Sequence, residues 1–199
     1  MGKINRRYKN SSVVEAKTMS DQLHEIQQNG AHVELVRWLT SGVFTWQWWF
    51  LLAGLIVPWI ILLKLIDRKR AHVIWFYGLM ILIITSFTDD LGAEIGTWVY
   101  PIKLVPYSLI SFPFDFSVVP VAQMLIFQYF RSWKKFLIAL LIQAMIFAFI
   151  GEPFSVWAGT ITYYGWTYYY SFLYYIFTGS LTKAFVNYWT PKKSNSLNP

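Results

Sequence analysis

Five apolar runs, separated by short polar connections, occupy most of the chain after residue 43. Each run approaches the roughly 20 residues that a helix needs to cross the hydrocarbon core of a bilayer. We therefore predict an all-α fold, a polytopic bundle of about five transmembrane helices. The predicted spans are Trp46–Ile66, Ala71–Thr88, Phe112–Phe130, Phe136–Phe154 and Thr167–Tyr188.

The segments on either side of these runs are polar. We predict a polar N-terminal tail, a transmembrane domain and a polar C-terminal tail, over residues 1–42, 43–190 and 191–199. The first part of the tail, residues 1–18, is predicted to be disordered. Residues 20–39 carry apolar side chains at helical spacing, interrupted at Asn29-Gly30. A helix there either lies along the membrane surface with its apolar stripe down or is an ordinary solvated helix.

Lys and Arg residues between the runs predict an orientation for the bundle. Ten of them lie at the end of the first run, after the first and third runs or at the C-terminal end, including Lys183, whereas residues 89–111 and 152–166 hold only Lys103. Because cytoplasmic connections carry the excess of Lys and Arg, the C-terminus is predicted to be cytoplasmic and the N-terminus outside the cell membrane. If the first run is re-entrant instead, the N-terminal tail is cytoplasmic.

Composition agrees with a membrane protein and excludes several other classes. Hydrophobic residues make up 56% of the chain and charged residues 14%, against about 25% charged residues in soluble domains. The net charge is +7, and the Lys and Arg residues that produce it lie between apolar runs. Contact with an anionic lipid bilayer therefore explains this charge better than binding to nucleic acid does. The absence of cysteine excludes disulfides and thiolate chemistry. The three histidines lack metal-ligand spacing, so we predict no metal site, and the sequence indicates no cofactor.

A short motif occurs twice, 63 residues apart. Asp89 is followed by the run Gly96-Thr97-Trp98-Val99-Tyr100, and Glu152 is followed at the same spacing by Gly159-Thr160-Ile161-Thr162-Tyr163. This pattern predicts a parallel internal repeat in which spans two and three correspond to spans four and five. The alternative is that two outer connections share Gly, Thr and Tyr by chance.

Acidic residues collect at the predicted outer side of the bundle. A carboxylate in apolar surroundings is costly, so it usually faces the bundle interior or a watery cavity. We therefore predict an acidic, aromatic-walled pocket that opens outward. The candidate ligand-binding residues are Glu152, Asp115, Asp89, Asp90, Glu94, Tyr100, Trp98, Tyr163 and Trp166.

Each acid also has a purely structural explanation. Asp89 and Asp90 are explained by helix termination in the headgroup region, and Asp115 by an N-cap or first-turn position. Glu152 is explained by an interfacial, hydrogen-bonded carboxyl. The tyrosines at positions 168–170, 174 and 175 are expected to form an interfacial belt and packing surface.

The stretch from Asp89 to about Ala184 resembles an uncharacterised family of small five-helix multi-pass membrane proteins of spore-forming Gram-positive bacteria. The resemblance implies a five-helix bundle in a bacterial membrane and no particular activity. The residues that carry it are Phe114-Asp115-Phe116, Pro120, Trp133-Lys134-Lys135, Glu152, Gly165-Trp166 and Tyr170-Ser171-Phe172.

A second resemblance is to the carotenoid (lycopene) cyclase domain, which pairs membrane-boundary acids with an aromatic turn and a Pro-x-acid helix start. The matching pieces here are Asp89-Asp90, the turn from Gly96 to Tyr100, and Pro113-Phe114-Asp115. Where that family has consecutive acids, this chain has Asp115 alone. The resemblance implies acid/base chemistry on an isoprenoid.

Three functions are consistent with the sequence. The first, which we favour, is a non-enzymatic protein whose pocket binds or passes a cation or a polar, lipid-like ligand. The second is a structural or partner subunit of a cell-envelope complex, and the third an intramembrane acid/base enzyme in which Glu152 donates the proton. A homo-oligomer or an envelope protein is the expected partner.

Overall fold

The structure of the protein, a computed structural model, describes residues 2–108 and 111–190, with side chains from residue 15 onward. Helices account for most of these residues, which confirms the all-α prediction. The chain divides into two units, Met1–Ser41 and Gly42–Pro199. The predicted C-terminal tail, residues 191–199, lies outside the described residues.

The first unit contains one long helix, α1 (Gly2–Arg37), where the sequence predicted a disordered segment and a break at Asn29-Gly30. The helix continues through Gly30 because a single glycine costs only about 1 kcal/mol relative to alanine, and its neighbours include good helix formers. Leu23, Ile26 and Val33 are all exposed along it. The apolar stripe predicted between residues 20 and 39 therefore stays uncovered within this unit.

The second unit contains the remaining elements. A two-stranded antiparallel ribbon pairs β1 (Trp98–Val99) with β2 (Thr162–Tyr163). Two wide, π-helical turns, Phe114–Val118 and Phe147–Gly151, lead into α4 and α6. The helices are α2 (Trp46–Leu65), α3 (Ala71–Glu94), α4 (Val119–Tyr129), α5 (Trp133–Ile146), α6 (Glu152–Trp157) and α7 (Tyr168–Trp189).

Three helical stretches are long and apolar enough to cross a membrane: Trp46–Leu65, Ala71–Glu94 and Trp133–Trp157, the last combining α5, the second wide turn and α6. The other two predicted spans do not meet that criterion. In one, the α-helical part α4 has only 11 residues, because the wide turn precedes it. In the other, α7 has 22 residues, but its Tyr, Ser and Thr side chains lower the hydropathy. The protein thus has the character of a membrane protein.

Two helical stretches run well beyond the predicted span limits. Helix α3 continues past Thr88 to Glu94, so Asp89 and Asp90 lie within a helix, and their explanation as helix terminators is wrong. The stretch Trp133–Trp157 likewise runs beyond the predicted span at both ends, and Glu152 lies inside it.

Close approach between helices depends on two glycines. Helix α3 packs against α4 and α7, and α5 packs against α7 and α4. A Cβ atom at Gly78 would lie 2.2 Å from Met124 Sδ, and one at Gly179 would lie 2.9 Å from Leu140 Cδ1. Small residues at such positions let membrane helices pack tightly. Met124 and Leu140 belong to the hydrophobic core that these helices share.

Lys183, expected with the basic C-terminal end, is buried in the core instead. It lies within α7 and is 1% exposed. Its Nζ donates a hydrogen bond to the Phe130 carbonyl at 3.0 Å and lies 3.8 Å from the centroid of the Phe136 ring. A cation at the carbonyl end of a helix and over an aromatic face is favourable. Lys183 therefore fastens α7 to the corner between α4 and α5.

Candidate functional site

A cavity of about 300 Å³ lies between α3, the chain around Ser111 and Asp115, the α5–α6 stretch and α7. No Lys, Arg or His is among its lining residues in the part of the chain that the structure describes. Asp90 and Glu94 are exposed and do not line it. Seven of the nine candidates do: Asp89, Trp98, Tyr100, Asp115, Glu152, Tyr163 and Trp166.

Two of the carboxyl groups, those of Asp89 and Asp115, lie side by side. The Ser111 N–H donates to Asp89 Oδ2 at 2.9 Å and to Asp115 Oδ2 at 3.1 Å. Asp89 Oδ1 accepts a hydrogen bond from Trp98 Nε1 at 2.9 Å and another from the Tyr100 hydroxyl. Two carboxylates that share one donor repel each other. The pair is therefore suited to hold a proton or a cation between its oxygens.

Glu152 lines another part of the cavity, and both of its carboxyl oxygens have donors. Oε2 accepts from Ser171 Oγ at 2.9 Å, and Oε1 accepts from the Tyr175 hydroxyl at 3.1 Å. Ser171 Oγ in turn accepts from Trp166 Nε1 at 2.7 Å. Such hydrogen bonds offset the cost of burying a carboxyl group. Glu152 is thus held in one orientation by α7.

Two phenols outside the helices stand beside these acids. Burial, reinforced by the charge of Asp89, raises the pKa of Tyr100 well above its ordinary value. Burial, reinforced by the charge of Glu152, likewise raises the pKa of Tyr163. Both side chains therefore keep their protons at neutral pH and act as hydrogen-bond donors to the site.

The two copies of the repeated motif form turns with the same hydrogen bonds. Thr97 donates from its N–H and its Oγ1 to the Gly92 carbonyl, at 3.0 and 2.6 Å. Thr160 donates from the same two atoms to the Ser155 carbonyl, both at 3.0 Å. Each threonine therefore satisfies a carbonyl in the last turn of the helix that precedes it.

A glycine with positive φ precedes each of these threonines. Gly96 has a φ of 78° and Gly159 a φ of 72°, a conformation that favours glycine over other residues. The chain can therefore leave α3 and α6 abruptly and enter β1 and β2. Pairing of the strands sets Trp98 opposite Tyr163, and both side chains line the cavity.

Comparison with family models, with curated proteins and with solved structures finds no match for this chain. Functional conclusions therefore rest on the geometry of the site.

Most groups around the acid pair are hydrogen-bond donors. In the described part of the chain, no group of three or more His, Cys, Asp or Glu side chains is placed to hold one. The pair Asp89 and Asp115 offers two carboxyl groups, and the other neighbours of Asp89 are an indole, a phenol and a backbone N–H, which are all donors. A ligand that brings its own hydrogen-bond donors suits the free carboxylate lone pairs better.

Sequence reasoning missed several residues of the site. Tyr169 and Tyr170 are exposed, as a belt requires, whereas Ser171, Tyr174 and Tyr175 line the cavity. Their spacing of three and four residues places them on one face of a helix, which is the signal that could have found them. Ser111 had no such signal, since it contributes a backbone N–H.

Proposed function

We propose that this chain is a membrane protein that binds a small organic cation in the cavity between Asp89, Asp115 and Glu152. One observation carries the proposal. Three carboxyl groups from separate segments line one cavity of about 300 Å³, and none of its described lining residues is basic. An ammonium group would supply the positive charge that such a cavity lacks and would donate hydrogen bonds to the remaining lone pairs of its carboxylates.

The aromatic walls favour an organic cation. Trp98 and Trp166 pack edge to face, with their centroids 5.1 Å apart, and Trp98 also contacts the Tyr163 ring. Indole and phenol faces attract alkylammonium ions through cation–π contact. Apolar side chains such as Ile150 and Phe147 complete the lining and suit a ligand with a hydrocarbon part.

Within this proposal the chain crosses the membrane five times, with a cytoplasmic C-terminus and an external N-terminus. Helix α7, at about 1.5 Å per residue, is long enough to span, and its polar side chains Ser171, Tyr174 and Tyr175 face the cavity rather than lipid. The segment from Ser111 through α4 supplies the remaining crossing, with its short helix extended by the wide turn. The basic connections support the orientation.

An internal repeat relating α3 and α4 to α5–α6 and α7 belongs to the same proposal. Val99 and Thr162 hold equivalent places in the two motif copies, and they pair with each other. If a twofold axis related the two halves and passed between the strands, residues in equivalent places would have to pair with each other, as Val99 and Thr162 do. The matching threonine turns also support the repeat. The cavity would then lie at the interface between the halves, as ligand sites of repeat-built transporters do.

Five crossings can be distinguished from three by cysteine labelling, because the chain has no cysteine of its own. Val105 and Ser132 are both exposed. We expect Val105→Cys to react with a membrane-impermeant maleimide in intact cells and Ser132→Cys to react only after lysis. If only the three most apolar stretches crossed, both positions would lie on one side and label together, which would contradict the five-span topology.

Removing one cavity carboxyl should weaken amine binding. We expect ethylammonium to raise the thermal unfolding midpoint of the purified protein, because a ligand that binds the folded state stabilises it. For Glu152→Gln or Asp115→Asn, the loss of a charge-assisted hydrogen bond of about 1.5–3 kcal/mol should weaken the response roughly 10- to 100-fold in ligand concentration. Glu94→Gln is the matched control, since Glu94 is exposed and outside the cavity.

Sodium chloride and ethanol serve as ligand controls for charge and for the alkyl group. If Glu152→Gln and Glu94→Gln respond to ethylammonium alike, the cavity carboxyls are structural. The envelope-subunit hypothesis would then be preferred, and deletion of residues 1–40 would be the next variant to make.

A further inference from the structure

The acid-lined cavity adjoins an open groove on the outer surface of α7. The groove is lined by Trp166, Tyr170, Leu173, Tyr174, Ile176, Phe177 and Ser180. Trp166 and Tyr174 line the cavity as well. The two spaces are therefore neighbours that share these two side chains; one is lined by three carboxyl groups, and the other is more open and almost wholly apolar.

The groove faces away from the bundle. Leu173 is 60% exposed and Phe177 is 65% exposed. On a spanning helix, such side chains meet the hydrocarbon of the bilayer rather than water. A molecule that reaches the cavity through the groove would therefore come from the membrane phase and would have to be soluble there.

Tyr174 borders both spaces. Its hydroxyl lies 2.9 Å from Thr88 Oγ1 and 3.4 Å from the Ile84 carbonyl on α3. Rotation of this ring would have to break these contacts and the edge-to-face contact with the Tyr175 ring, whose centroid lies 5.9 Å away. Trp166, the other shared residue, donates to Ser171 in the hydrogen-bond chain that ends at Glu152, so the wall of the groove is continuous with the acid site.

We propose, on the basis of the cation-binding function above, that the ligand is a single-chain cationic amphiphile that enters from the bilayer. Its ammonium group lies among Asp89, Asp115 and Glu152, and its hydrocarbon chain lies in the groove of α7 beside Leu173 and Phe177. Trp166 and Tyr174 contact the ligand where its ammonium group joins its hydrocarbon chain. Each of these two side chains has a polar group that can form hydrogen bonds and an apolar ring face, so both suit that position. The hydrocarbon chain gives such a ligand a higher affinity than a short amine has.

The test compares ethylammonium with octylammonium on protein reconstituted in phosphatidylcholine nanodiscs, with octanol as the neutral chain control. In wild type, octylammonium should stabilise the protein at a concentration at least roughly tenfold lower than ethylammonium, at equal amounts bound to the membrane, because each buried methylene adds affinity. Leu173→Trp fills the groove and should keep the ethylammonium response but lose this advantage. Leu181→Trp is the matched control, an exposed leucine of α7 outside the groove.

Each other outcome overturns a defined part of the proposal. If Leu173→Trp keeps the full chain-length advantage, the hydrocarbon chain does not lie in the groove, while the cation-binding function stands. If Leu173→Trp instead changes the oligomeric state measured by light scattering, the groove is an interface between copies, and the inference fails. If neither amine stabilises wild type, the cation-binding function itself is wrong.

Discussion

Gly92→Ala should destabilise the protein and abolish its response to amines, although the substitution adds only one methyl group. Gly92 lies in α3, against the indole of Trp98. A Cβ atom there would be 2.0 Å from Trp98 Cη2 and 2.1 Å from Cζ2. The ring is rigid and only 8% exposed, so it must move as a whole.

Moving Trp98 has two consequences. Overpacking of a buried site costs about 1–3 kcal/mol, and the indole N–H would leave Asp89 Oδ1, to which it donates at 2.9 Å. Asp89 then loses a hydrogen-bond donor, and its carboxyl group is no longer held in place beside Asp115. The effect should therefore be larger on ligand response than on folding alone.

The measurement is the thermal unfolding midpoint in detergent, with and without ethylammonium. Gly54→Ala is the matched control, because its Cβ atom would lie 3.5 Å from the nearest atom, Pro113 Cβ, at ordinary contact distance. Alanine is the better helix former by about 1 kcal/mol, so Gly54→Ala should be neutral or stabilising. Equal behaviour of the two variants would show that Trp98 does not hold the position described here.

Lys183→Glu should prevent the protein from folding into a stable bundle. The ammonium group of Lys183 is enclosed by the Phe130 carbonyl and the faces of Phe136 and Trp133. A carboxylate there would meet a carbonyl oxygen and the electron-rich ring faces, while Arg70, the neighbouring cation, donates to the Gln128 carbonyl instead. An uncompensated buried charge costs on the order of 3–5 kcal/mol, which is a large share of the stability of a domain of this size.

The readout is the yield of monodisperse protein extracted from membranes. Lys134→Glu makes the same charge change at an exposed position near this end of the bundle and should give nearly normal yield. Lys183→Met keeps an apolar stem and places no charge in the core, so it should cost less than Lys183→Glu, about the 1.5–3 kcal/mol of the lost charge-assisted hydrogen bond. If Lys183→Glu and Lys134→Glu fold equally well, Lys183 is not the buried fastener between α7 and α4.

The sequence was sufficient to identify the acidic residues of the candidate site. It was not sufficient to predict which side of its helix each of them occupies. The repeated motif pointed to Asp89 and Glu152 because the order and spacing of acid, Gly, Thr and Tyr recur. Asp90 and Glu94 were grouped with them since they lie nearby in sequence. Helix α3 continues through Glu94, however, so consecutive residues point about 100° apart, and only Asp89 faces the cavity.

Two other differences have the same origin in tertiary contacts. From the sequence, Lys183 was grouped with the basic residues of the C-terminal end. Nothing in its neighbouring residues indicates that aromatic rings from α5 enclose it. Ser111 enters the site through its backbone N–H, which every residue except proline possesses. Local pattern predicts where helices form, while the partners of a buried polar group depend on segments distant in the chain.

The ribbon of β1 and β2 also implies an order of assembly. The strands that pair Trp98 with Tyr163 are far apart in the chain, and contacts between distant segments form late because closing a long loop costs entropy. During synthesis, α3 would enter the membrane well before its partner strand exists. Glu152 gains its donors Ser171 and Tyr175 only with the final helix. A newly made chain would therefore carry its carboxyl groups without a binding site until α7 is in place.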